Sequence, residues 1–284
     1  MNNSKLSKAI YVFTPFLLFV LLKDIIGSAL AIIISVLSGN NADMSMWITI
    51  YSGDMNLIII GVSAFIAVLP LYRDAVHTIS SYESPSLSPI RIEDDPEDEE
   101  GKQMQGVIEY KLLKPADYII PIIIAICMSL GITFLLNGSG LTSLLGYSND
   151  TVSTASLPLQ LAVLGLLTPV CEEIVFRLLT YRRMRENVSM KISIIASALL
   201  FGVYHGNPIQ FIFASIMGIV LVLTYIKYDR IIIPILMHCA SNIAAVFLGL
   251  APDDIAPATL ITYGLCLTFA GTVCLHLLLT RKRY

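Results

Sequence analysis

Hydrophobic and polar positions along this chain fall into long blocks and do not alternate. Apolar runs of membrane-spanning character occupy residues 9–37, 55–72, 118–137, 157–180, 192–206, 208–227, 231–250 and 258–280. Crossing the hydrocarbon layer as a helix takes about 17–25 such residues, fewer where a helix is tilted or partly shielded. The segments between the runs are polar and rich in turn formers. The pattern therefore predicts an all-α polytopic membrane protein of about eight transmembrane helices. No small-residue cleavage site follows the first run, which reads as an anchor and not a signal peptide.

The placement of lysine and arginine adds an orientation. Cytoplasmic loops collect positive charge, and with the N-terminus inside, the inside segments hold Lys5, Lys8, Arg73, Arg91, Lys102, Lys111 and Lys114. They continue with Arg182, Arg183, Arg185, Lys191, Lys227, Arg230, Arg281, Lys282 and Arg283. The intervening loops near 38–54, 138–156, 207 and 251–257 have none; of 18 basic residues only Lys23 and Arg177 fall within a run, with Lys227 at the very end of one. Both termini are thus expected in the cytoplasm. Composition agrees: 56% of residues are hydrophobic and 14% charged, with mean hydropathy +0.76, against about 25% charged in soluble domains. The formal net charge of −3 comes largely from the acidic stretch "EDDPEDEE" at 93–100, which reads as a solvated loop. This loop divides an N-terminal two-helix segment, residues 1–117, from a six-helix region, residues 118–284. Soluble domains, internal repeats and a nucleic-acid footprint are all missing from the pattern. The five cysteines lie in apolar runs without CxxC pairs, which speaks against disulfides and zinc knuckles. Cys171 and Cys239 read as small apolar fillers.

Candidate chemistry enters with "LLTPVCEEIVFRLLTYRRM", residues 167–185. Each ionisable group at mid-bilayer costs about 2.5–3.5 kcal/mol on insertion scales, so Glu172, Glu173 and Arg177 need compensation. Four residues apart on a helix share a face; Glu173 and Arg177 can neutralise each other, while Glu172 has no partner on its own helix. An unpartnered intramembrane carboxyl is a functional candidate. Later runs carry polar groups that could meet it: His205, one turn after Phe201, and His238 with Asn242, four apart on one face. Together they suffice for peptide hydrolysis. A carboxylate can take a proton from water, an imidazole can hold that water, and a second imidazole with an amide can stabilise the oxyanion. Neither a strained serine turn nor an HExxH helix is present, which leaves water as nucleophile. Lys23 and Asp24 in the first run are expected either to find partners on another helix or to mark a tilted, interfacial section.

Glu172-Glu173-x-x-x-Arg177, Phe201-x-x-x-His205 and His238-x-x-x-Asn242, with Pro234 ahead of the third motif, resemble in order the motifs of the CAAX protease and bacteriocin-processing (CPBP, Abi/Rce1-like) intramembrane peptidases. The resemblance covers roughly residues 157–250. It implies a glutamate-dependent peptidase with Glu172 as base, His205 as its partner on the water, and His238 and Asn242 as oxyanion stabilisers. Glu173, Arg177 and Phe201 would support them. No metal is implied in this account; zinc held by His205, His238 and a glutamate is the alternative. Other readings are a catalytically silent scaffold or bacteriocin-immunity protein on the same fold, and a proton-coupled transporter, whose inverted repeats the chain lacks. The implied partners are the lipid bilayer and a membrane-associated or leader-bearing peptide or protein. The implied setting is a bacterial plasma membrane, with a polar cavity opening to the cytoplasm between the fourth, fifth and seventh runs. Oligomeric state is left open. One spacing is awkward: at 1.5 Å per residue, Glu172 and His205 stand roughly 22–26 Å from the hairpin at Asn187–Val188, but His238 only about 12 Å from the turn at Tyr228–Arg230. Convergence requires that hairpin to protrude into the cytosol, or those helices to tilt strongly.

Overall fold

The computed structural model describes residues 3–39, 42–82, 113–146, 154–250 and 255–281; the acidic stretch 93–100 lies outside them. Helix α1 (Asn3–Gly39), α2 (Ala42–Ile50), α3 (Ser52–Val68) and α4 (Tyr72–Tyr82) precede that stretch, and α5 (Pro115–Gly138) follows it. Next come α6 (Leu157–Arg185), α7 (Met190–Tyr204), α8 (Pro208–Tyr228), α9 (Ile232–Leu248) and α10 (Pro257–Thr280). The described residues contain no strand. Among the described residues, six helical stretches are long and apolar enough to cross a membrane, Leu6–Gly39, Ser52–Ser81, Pro115–Gly138, α6, α8 and α10; α7 and α9 are shorter apolar helices. The chain is a polytopic membrane protein.

Helix α6 is the hub. In its most apolar window 56% of residues are buried, against 6% in α1 and 11% in α10, so lipid-facing surface belongs to the outer helices. Helices α1, α3, α4, α7 and α9 all pack on α6. Phe19 of α1 and Ala64 and Ala67 of α3 share one apolar core with Val175, Phe176 and Leu179 of α6 and Phe201 of α7. A second core joins Ile124, Met128 and Ile132 of α5 to Leu221 of α8, Met237 of α9 and Leu275 of α10.

Helix α6 departs from a regular α-helix. Leu161–Leu167 and Ile174–Tyr181 are π-helical, flanking an α-helical turn at Thr168–Glu173. Such widened turns concentrate at functional sites, and here they bracket both glutamates. The α-helical period assumed from sequence carries no sign of them.

The awkward spacing resolves at one ion pair. Arg182 Nη2 lies 2.5 Å from Asp229 Oδ1, and its Nε donates to the Tyr225 hydroxyl. Asp229 ends α8 in the left-handed conformation at φ 49°, which aims the chain back into α9. Arg182, not the Asn187–Val188 hairpin, is therefore level with the α8–α9 turn. Glu173 lies nine residues before Arg182 and His238 nine residues after Asp229. At 1.5 Å per residue both stand roughly 13–14 Å from that shared level. The α6–α7 hairpin protrudes past it, and the 29-residue α6, roughly 43 Å long at α-helical rise, exceeds the hydrocarbon thickness of about 30 Å.

Candidate functional site

Every sequence-predicted site residue falls in one region where α6, α7 and α9 meet. Glu172 (7% exposed), Glu173 (0%), Arg177 (2%) and His238 (5%) are buried, while His205 and Asn242 are half-buried. Packing brings them together. Phe201 stands edge-on to Phe176 at 5.0 Å between centroids, to His205 at 4.8 Å and to His238 at 5.6 Å. The Arg177 guanidinium lies over the same Phe201 ring at 4.1 Å. One aromatic ring thus spaces both histidines and caps the buried cation.

The two adjacent glutamates have different surroundings. Glu173 Oε1 accepts from Arg177 Nη1 at 2.9 Å, the four-residue pair expected on a helix. The same oxygen lies 2.7 Å from His238 Nδ1. An ionised carboxylate can only accept, so Nδ1 of His238 carries a proton and Nε2 is turned towards Glu172, whose Oε2 is 3.8 Å away. The sequence pairs Glu173 with Arg177 alone; in the fold Glu173 also orients His238.

Glu172 looks the other way, towards α7 and α1. Tyr204 and His205 both lie close enough to feel its charge. His205 Nδ1 is 2.7 Å from the Phe201 carbonyl oxygen. That oxygen is an acceptor, so Nδ1–H donates to it and leaves Nε2 of a neutral imidazole with a lone pair. Asn242 Nδ2 donates to the Leu164 carbonyl oxygen in the first π-helical segment at 2.9 Å. This bond ties α9 to α6 and keeps one amide hydrogen of Asn242 for other work.

Two further residues reach the site that the motifs do not name. Tyr204 adjoins His205 in sequence and lies near the Glu172 charge. Lys23 of α1 donates from Nζ to the Tyr204 hydroxyl at 2.7 Å and lies 4.2 Å from the centre of the Tyr204 ring. The sequence flags Lys23 as a charge needing a distant partner, but periodicity cannot say where that partner is. Cys171 and Cys239 are buried and free.

Among the described residues no three His, Cys, Asp or Glu side chains come together as a metal site; with Glu173 on Nδ1 of His238, its Nε2 is the nitrogen left facing Glu172. A groove lined by Trp47, Tyr51, Asp54 and Leu159 sits at the start of α3 and α6, at the opposite end of α6 from Arg182 and more than a dozen residues before Glu172.

Comparison with known proteins bears on this same stretch. Residues 154–244 match the family described as type II CAAX prenyl endopeptidase Rce1-like. The chain is also similar to the Bacillus subtilis (strain 168) protein named "Putative membrane peptidase YdiL", with 27% identity over 97 residues. That similarity spans 34% of this chain and 40% of the relative. No solved structure matches the chain significantly.

Proposed function

Taking residues 154–244 as a member of the Rce1-like CAAX endopeptidase family, a family of membrane peptidases, we propose that this chain is an intramembrane endopeptidase that hydrolyses a membrane-associated or leader-bearing peptide with activated water. The observation that carries the proposal is the division of labour between the glutamates. Glu173 is consumed by Arg177 and His238, whereas Glu172 forms no close ion pair and faces both histidines.

The steps follow from the donors and acceptors. Glu172 removes a proton from a water that His205 Nε2 holds by its lone pair, and the hydroxide adds to the scissile carbonyl carbon. The oxygen that becomes negative takes hydrogen bonds from His238, protonated at Nε2 and braced at Nδ1 by Glu173, and from the remaining Asn242 amide hydrogen. When the intermediate collapses, the proton held by Glu172 passes to the departing amine. Glu172 gives up its negative charge as the oxyanion forms, so the net charge of the cluster is unchanged by the addition. No step needs a metal.

Orientation is part of the proposal. The basic ends of α6 and α8 share one end of the bundle with α4 and α10: Arg183 pairs with Asp74 at 2.6 Å, and Lys227 donates to the Leu279 carbonyl oxygen at 3.2 Å. The positive-inside rule makes that end cytoplasmic, with both termini there and the cavity opening on that side. Residues 1–117 would be a segment added to a catalytic region at 118–284, in a bacterial plasma membrane.

Reconstituted protein with a set of candidate precursor peptides tests the function. Glu172→Gln should reduce cleavage by at least about 1,000-fold, at the upper end of what a single catalytic group contributes, with normal accumulation in the membrane. Wild-type activity should survive prolonged chelation. Normal cleavage by Glu172→Gln would remove the basis of the reading.

A further inference from the structure

The groove at the far end of α6 has no part in the hydrolysis. It lies between α2, the start of α3 and the start of α6. Its volume of about 480 Å³ falls within the range of roughly 300–1,000 Å³ for small-molecule sites. Gly53 builds one wall: a Cβ there would meet the Ala155 backbone nitrogen at 2.6 Å, so glycine is what lets α3 approach the segment leading into α6 this closely. That approach brings the Ser156 N–H onto Asp54 Oδ1 at 2.6 Å and packs Leu57, Ala155 and Val163 into a buried core behind the groove. Backbone hydrogen bonds from Tyr51 N–H to Trp47 and from Met55 N–H to Tyr51 carry the helical turns through the α2–α3 junction. Trp47 and Tyr51 therefore stand one turn apart, with ring centroids 4.9 Å from each other. Asp54 lines the groove with them, and the rest of the lining is mainly apolar, Met55 and Ile58 from α3 with Leu159 from α6.

Charge points to the occupant. The Asp54 carboxylate accepts from one backbone N–H, and among the described residues no lysine or arginine pairs with it. The loops at this end of the bundle, 38–54, 138–156 and 251–257, hold five aspartates and no lysine, arginine or histidine. A cation for Asp54 has to come from outside the chain. A primary ammonium fits, because it offers three donors to a carboxylate and is attracted to the faces of tryptophan and tyrosine. The apolar lining says what carries that ammonium. Met55 and Ile58 belong to the membrane-crossing stretch Ser52–Ser81, and Leu159 to α6, so the groove descends from headgroup level, where Trp and Tyr concentrate, into hydrocarbon. We propose that it binds a phospholipid with a primary-ammonium headgroup of the ethanolamine type, from the leaflet opposite the basic helix ends. The ammonium sits against Asp54, Trp47 and Tyr51, and an acyl chain lies along Met55, Ile58 and Leu159. Bound there, the lipid fastens α3 to the start of α6, the helix that carries both glutamates. The site is independent of the peptidase reading.

Trp47 is the single tryptophan of the chain, so its fluorescence reports on this groove alone. Full-length protein is reconstituted in phosphatidylcholine vesicles with rising fractions of a lipid brominated in its acyl chains, which quenches tryptophan on contact. The brominated lipid carries an ethanolamine, a choline or a glycerol headgroup. The ethanolamine lipid should quench Trp47 with an apparent affinity at least about 5-fold above the other two, the scale of a charged contact partly open to water. Asp54→Asn keeps an oxygen for the Ser156 N–H but loses the charge, and should bring the three lipids to within about 2-fold of one another. Tyr51→Leu should lower the preference about 3-fold. Equal quenching by the three headgroups in the wild type, stronger quenching by the glycerol lipid, or a preference that survives Asp54→Asn would each overturn the proposal. So would an equal response of Trp47, in detergent without lipid, to a soluble lysine peptide, since the groove would then belong to a polypeptide. If Asp54→Asn does not fold, Tyr51→Leu decides, and an unchanged preference there overturns the site. A wild type that cleaves nothing would count against Glu172 as base and leave this measurement standing.

Discussion

Where α6 crosses α9, two buried carboxylates, a guanidinium and an imidazole meet, and helix-to-helix contact runs through Glu173–His238 and Asn242–Leu164 hydrogen bonds. Where α5 lies along α10, the contact is backbone on backbone. Gly131 and Gly138 on α5, and Gly264 and Gly271 on α10, recur seven residues apart, and a Cβ added at Gly264 would meet Leu135 Cγ at 2.7 Å. In lipid, apolar surface gives helices no strong reason to associate, so close packing of small residues and interhelical hydrogen bonds are the two means left. This molecule uses one for each seam. The polar seam is the costlier choice, because each charge must be matched after losing water. It occurs where chemistry needs the charges, and the seam without chemistry avoids them.

The largest effect should come from unbalancing the polar seam. Arg177→Met leaves Glu173 buried and unpaired, a loss of about 3–5 kcal/mol for a broken buried pair, and should strip most folded protein from the membrane fraction. Replacing both partners, Glu173→Leu with Arg177→Met, should recover folding, since apolar substitutes for a buried pair are often neutral. Activity should stay lost, because His238 has then lost the acceptor that orients it. Yield and cleavage measured side by side separate the two effects; active double variant would mean that Glu173 serves folding alone.

A smaller effect is expected at the glycine seam. Gly264→Leu overfills the α5–α10 contact and should cost about 1–3 kcal/mol, read as a lower thermal midpoint in detergent. Specific activity of the protein that remains folded should match wild type, since the change is remote from Glu172. A fall in specific activity would show that the two seams are mechanically coupled.

Smallest of all should be the loss of a hydroxyl on the glycine seam. Thr272 donates to the Thr268 carbonyl oxygen of its own helix at 2.7 Å, so Thr272→Val should change stability by no more than about 0.5 kcal/mol. A larger drop would mean that the half-buried contact of its hydroxyl with Met128 Sδ, at 3.6 Å, also carries the seam.

Hydropathy is a local property, and so the helices were legible from the chain: each predicted run has a helix, six long and two short. The Glu173–Arg177 pair was legible for a similar reason, since four residues along one helix set its geometry without help from elsewhere. The grouping of Glu172, His205 and His238 was visible through resemblance to a family, and their spacing alone argued against it. What the fold decided lies between helices. The Arg182–Asp229 pair sets the level of α6 against α9, which counting from the hairpin could not supply. The imidazole of His238 is held by Glu173 and only faces Glu172, a choice between adjacent residues that turns on about 100° of helix rotation. The π-helical turns of α6 widen that helix where it meets its neighbours. Lys23 finds Tyr204 across 181 residues of chain. Sequence determines which groups are too polar for lipid to leave alone; only packing brings each one within hydrogen-bonding distance of a particular partner.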